Sequence, residues 1–205
     1  MLHLVVLIAG ASLLLNRRIQ YVLIAYVALA LTESVFVAKV AVASPLTLAL
    51  FALATLIKVV LAPAGIALFV RANPAADDLR PSLAMPLRLL LVIGFALVSA
   101  AVARFPSLAD AAGGPLSDLI AYVLLCGVGM LIVHRNLLSH IIGLLVLGVA
   151  IALAGAVLAP SLPEAIELGA TFDALVATFI GLAIVRSLAV DDPMLDVDAL
   201  SRLRG

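Results

Sequence analysis

Three ionisable residues, Glu33, Lys58 and Asp173, stand inside predominantly apolar stretches. A charge at the centre of an apolar layer costs about 2.5–3.5 kcal/mol on insertion scales, so such groups turn to a protein interior or a water-filled path. Two carboxylates and an amine are the side chains that hold and hand on a proton, and in low dielectric each one's affinity for it depends on its neighbour's charge. Lys58 precedes Pro63 by five residues. A proline inside a helix frees a carbonyl and bends the chain, which admits water beside the lysine. The competing structural reading makes Glu33 and Lys58 an ion pair that ties two helices together, and Asp173 a hydrogen-bonding group. Lys39 lies nearer a helix end and is expected to snorkel to the interface. His134 and His140 flank a turn and read as solvated helix ends before relay groups. Glu164 and Glu167 open the last span, where negative charge suits a helix N-terminus; neither they nor His3 are assigned chemistry.

The elements that position these residues follow from composition. The 205 residues are 66% hydrophobic and 12% charged, with a mean hydropathy of +1.33. A water-soluble domain needs more polar surface than this. Net charge is zero, so nothing points to nucleic acid. Cys126 is the single cysteine and lies in an apolar run, which makes it a small packing residue and excludes an internal disulfide. No Cys/His cluster suggests a metal, and no cofactor cage is expected.

A bilayer core of about 30 Å takes roughly 20 apolar residues per helix. Clusters of charge, Pro and Gly divide the chain into seven expected spans, at about 1–16, 19–43, 46–70, 86–103, 117–134, 137–158 and 163–188. The first is short, but its basic residues Arg17 and Arg18 follow the apolar run, so it reads as a helix and not as a signal peptide. Alternating ten-residue segments for a β-barrel are missing. With the N-terminus outside, nine arginines (17, 18, 71, 80, 88, 135, 186, 202 and 204) fall on the cytoplasmic side and only Arg104 opposite, a strong positive-inside bias. The expected fold is therefore an all-α polytopic bundle of about seven helices, N-out and C-in, in a bacterial or archaeal inner membrane. Its parts are a four-helix region (1–116), a three-helix region (117–190) and a cytoplasmic tail (191–205). At 1.5 Å per residue, Glu33, Lys58 and Asp173 lie roughly 21, 18 and 20 Å from the cytoplasmic ends of their spans, one shared level near mid-membrane. Small residues in the sixth span, including Gly143, Gly148 and Gly155, permit close helix packing.

Two stretches carry a family resemblance. His134-Arg135-Asn136-Leu137-Leu138, followed by Ile142-Gly143-Leu144, resembles the start of the second helix of the K-type membrane subunit of respiratory complex I, and the ending 195–205 is similar to that family's C-terminal segment. Ile57-Lys58-Val59-Val60-Leu61-Ala62-Pro63 and Glu167-Leu168-Gly169-Ala170-Thr171-Phe172-Asp173-Ala174, with the total length and tail, resemble more closely membrane component E of hydrogenase-4-type complexes, a longer relative. The resemblance covers roughly residues 50–72 and 133–205.

It implies a non-catalytic subunit of a redox-driven, ion-translocating membrane arm. Its partners would be an antiporter-like subunit and, through other subunits, a peripheral redox module. Lys58 and Asp173 take matching motif positions, which implies a relay role; Glu33 has no counterpart and rests on its chemistry alone. The families' membrane carboxylates fall at positions that read Leu145, Gly148 and Ala177 here, with Asp173 one turn before Ala177. Either Glu33 substitutes for the missing carboxylates, or the chain keeps only a spacer role. A subunit of a multi-component cation/proton antiporter is a third reading. A stand-alone transporter lacks the expected inverted repeat.

Overall fold

The computed structural model describes residues 2–41, 45–104, 117–158 and 163–188. The expectations for the tail, and for the side chains of Glu164 and Glu167, lie outside the described residues. Helix dominates: α1 (Leu2–Leu15), α2 (Ile19–Ala41), α3 (Pro45–Leu56), a π-helical segment (Ile57–Leu61), α4 (Ala62–Ala72), a 3-10 turn (Pro74–Asp77), α5 (Met85–Val102), α6 (Ser117–Val133), α7 (Leu137–Leu158) and α8 (Pro163–Leu188). α3, the π segment and α4 run on as one rod, so the described residues make an all-α polytopic membrane bundle of seven rods. Five are long and apolar enough to cross a membrane, while α1 and α6 are shorter apolar helices. Helix is the form a single apolar segment must take in lipid, because each backbone N–H and C=O then finds its partner within the segment.

α7 is the central rod, flanked by α6, α8 and α2; α1 packs on α2, α6 and α5. One core joins the N-terminal rods to α6–α8, with Leu13, Tyr26, Ile66, Met130 and Ile142 all fully buried. Two glycines set the distance between α6 and α7. A Cβ on Gly143 would come within 2.8 Å of Leu131 Cδ2 and 3.3 Å of the Gly127 carbonyl, and one on Gly127 would meet Leu147 at 2.9 Å.

At one end of the bundle the connections form a hydrogen-bonded cap. Leu79 N–H donates to Arg17 O (2.8 Å), Ser82 N–H to Val133 O (2.7 Å) and Arg135 N–H to Arg80 O (3.4 Å). Asn136 holds the middle. Its Oδ1 accepts from Leu138 N–H at 2.9 Å, capping α7, and its amide donates to the Ala76 and Asp78 carbonyls at 3.2 Å each. Arg88, buried at 1% exposure, donates from Nη1 to the carbonyls of Leu14 (3.2 Å) and Leu15 (2.8 Å) at the C-terminus of α1. A cation on carbonyls that have no partner further along the helix satisfies both hydrogen bonding and the helix dipole. Arg17, Arg18, Arg71, Arg80, Arg88 and Arg135 therefore gather at one end, the grouping that the positive-inside reading predicts for the cytoplasmic side.

His134 departs from the expected solvated helix end. It is 1% exposed, its Nε2 lies 3.4 Å from Asn16 O, and Nδ1 has no partner among the described residues. Burial, with Arg88 and His140 as like-charged neighbours, lowers its pKa from 6.5 to about 4. The neutral form is thus the native one, and stability falls as pH drops from 6.5 towards 4, because only the unfolded chain accepts the proton easily. His140 is half-buried, with Nδ1 3.0 Å from Asn136 O.

Two outcomes are expected in detergent. Gly143→Val should destabilise the protein by about 1–3 kcal/mol through overpacking against α6, read as a lowered thermal midpoint. The stability of the wild type relative to His134→Gln should fall by about 2 kcal/mol between pH 7.5 and 4.5; a difference independent of pH would contradict the buried neutral imidazole.

Candidate functional site

Glu33 comes from α2, a 23-residue helix, and its side chain is fully buried. Lys58 comes from the π-helical segment and is 2% exposed. Its Nζ donates to both Glu33 oxygens at 2.9 Å. The pair unites the two residues that both sequence readings, relay and structural, had linked. The bidentate contact is what such burial demands: each ion's desolvation is offset only by close contact and saturated hydrogen bonding.

The local fold around Lys58 has a covalent cause. Pro63 brings no N–H to the carbonyls one turn before it, so the ladder widens: Ala62 N–H bonds back to Ile57 O, five residues away. Each π turn adds a residue and so rotates the helix on its N-terminal side relative to the helix on its C-terminal side. Ile57–Leu61, part of one of the two stretches that resemble component E, is thus where regular helical register is broken. Lys58 sits in that break.

Asp173 is on α8, exposed, and has no ion pair or hydrogen bond among the described residues. It and Lys58 line one partly enclosed cavity of about 290 Å³ between the π segment, α7 and α8, roomy enough for several waters. Leu145, Gly148 and Ala177 line the same cavity. A Cβ on Gly148 would meet nothing within 4 Å. The positions at which the resemblance implies carboxylates therefore line the space between Lys58 and Asp173, and part of that space is open at Gly148. Lys39 is exposed in the last turn of α2, away from this group, and His134 and His140 belong to the polar cap.

Several polar groups escaped the sequence reading. Tyr26, Ser34, Thr171 and Thr178 are buried, and their hydroxyls have no partner among the described residues. Tyr26 precedes Glu33 by two turns on α2, and Thr171 and Thr178 stand two turns apart on α8. Buried hydroxyls left unpaired by protein are where internal water is found. The seven-residue spacings were visible in the sequence, but hydroxyls are common in membrane helices and the spacing alone carries little weight. Arg88 escaped too, since a residue at a span's edge reads as a topology marker.

No group of three or more His, Cys, Asp or Glu side chains that would hold a metal occurs among the described residues. The site offers groups that can hold a proton, and space for water.

Residues 115–205 match the family model of NADH-ubiquinone/plastoquinone oxidoreductase chain 4L. No curated protein and no solved structure matches the chain. The C-terminal region, from α6 onward, is thus related to the K-type membrane subunit of respiratory complex I, as the run from His134 to Leu144 implied. Beside that likeness, five of the described helices are long and apolar enough to cross a membrane.

The pair itself can be probed by stability. Lys58→Ala strands a buried carboxylate and should cost about 3–5 kcal/mol. Replacing both residues, Glu33→Leu with Lys58→Met, should recover most of that loss in the same thermal unfolding measurement.

Proposed function

We propose that this chain is a non-catalytic subunit of a hydrogenase-4-like membrane arm, and that Glu33, Lys58 and Asp173 pass protons sideways at mid-membrane. The observation that carries the proposal is the shared cavity: a lysine locked on a buried glutamate opens on its other side towards a carboxylate with no partner among the described residues. Water in that cavity, and beside the unpaired hydroxyls of Ser34, Thr171 and Thr178, would supply the hydrogen-bonded steps between them. Lys58 has Glu33 on one side and the cavity with Asp173 on the other, so each proton transfer changes the charge that the next group faces.

Asp173 also supports membership in a hetero-oligomer. It projects from a face that carries exposed Phe172, Val176, Phe179 and Ile180. An ionised carboxylate turned to lipid at that depth costs about 2.5–3.5 kcal/mol or more. A neighbouring subunit that supplies a polar group removes this cost and extends the path. An antiporter-like subunit fits that place, with the redox module reached through other subunits.

The alternative is a membrane-arm spacer whose ion pair serves only packing. The two readings separate on variants that preserve the fold. Asp173→Asn breaks no contact among the described residues, and the Glu33→Leu/Lys58→Met pair keeps the core filled. Under the relay both variants should co-purify with the same partners as wild type, yet lower ion movement per electron at least tenfold, measured as redox-driven acidification of inverted membrane vesicles. Unchanged coupling in both would leave the spacer. Gly148→Glu, placed where a side chain meets open space, is expected to fold and to retain coupling.

A further inference from the structure

A second cleft has a different chemistry. Between α2 and α4, Leu23, Ile24, Val27, Val60, Ala64 and Ala67 line an open apolar groove of about 510 Å³. Its polar lining consists of Gln20 and Arg71, both exposed and both at the capped end of the bundle. Arg71 has no hydrogen bond or ion pair among the described residues, and exposed Arg17 and Arg18 lie just before Gln20 in the chain. Among the described residues the acids near this end are Asp77, whose Oδ1 is buried, and Asp78, whose Oδ1 accepts the Arg80 N–H at 3.2 Å; neither lines the groove. The rim is therefore cationic.

We infer that this groove binds one anionic phospholipid of the leaflet on the arginine-rich side, its phosphate on Arg71 and Gln20 and an acyl chain along α4. Length supports it. From Arg71 to Val59 is twelve residues, roughly 18 Å of helix, against about 15 Å for half of a bilayer core. Charge supports it as well. The α8 face carries a carboxylate at mid-span, which calls for a protein neighbour, whereas this groove is apolar at depth and cationic only at its interfacial end. That is the polarity profile of a phospholipid with an anionic head. The deep end reaches Val59 and Val60, which follow Lys58 in the π segment, and Pro63 in α4. The bound chain thus fills the outer side of the helix whose inner side presents Lys58 to Glu33.

Native mass spectrometry of the full-length protein in mild detergent, titrated separately with phosphatidylglycerol and phosphatidylcholine, tests the assignment. One phosphatidylglycerol is expected to bind at least fivefold more tightly than phosphatidylcholine, since an arginine at the interface is worth roughly that factor for an anionic lipid. Arg71→Ala should reduce the preference to near unity. Ala64→Phe, which fills the groove without touching the charge, should weaken both lipids at least fivefold, and Arg186→Ala, on the separate cleft between α4 and α8, should change neither. Equal binding of the two lipids to wild type, a preference that survives Arg71→Ala, unweakened binding to a folded Ala64→Phe, or an equal loss in Arg186→Ala would each overturn it.

Discussion

Much of this structure depends on one constraint: a lysine and a glutamate are held out of water, 2.9 Å apart, inside an apolar bundle. Neither is tolerable there alone. The pair fixes α2 against the π segment, and the break in helical register at Ile57–Leu61 decides where Lys58 can reach. Pro63 is the covalent origin of that break. A proline in a membrane helix is thus a device for aiming a side chain, in addition to bending a rod.

The same constraint explains how polar groups are distributed. Arg88, Asn136 and His134 are buried with the connections at one end, where they satisfy carbonyls and close the bundle. Glu33 and Lys58 are buried at depth and satisfy each other. Asp173 belongs to neither set, since it is exposed at depth and unpartnered among the described residues. A polar neighbour beside it would remove the cost of that exposure. The kinship of residues 115–205 with chain 4L agrees with that logic.

The absence of carboxylates at Leu145, Gly148 and Ala177 takes on a spatial meaning. These residues do not interrupt a distant wire; they line the volume that separates Lys58 from Asp173. With Gly148 adding no side chain, the gap is space for solvent. Glu33 holds the Lys58 amine beside that space through both of its carboxylate oxygens.

By itself the sequence determined the rods. Span length, the breaks at charged and proline-rich turns, and the arginine bias follow from the bilayer's thickness and the cost of moving charge through it, and each acts on one segment at a time. It also marked Glu33, Lys58 and Asp173, because an ionisable residue in an apolar run is conspicuous whatever its partner. Only the tertiary structure decided which of them touch. Three residues at one depth can lie on any side of their helices, and which sides they take is set by how the rods pack and, for Lys58, by the added residue of the π turn. The burial of His134 and the capping role of Arg88 were hidden for the same reason: a turn residue and an edge arginine are read as solvated until another helix is known to lie over them.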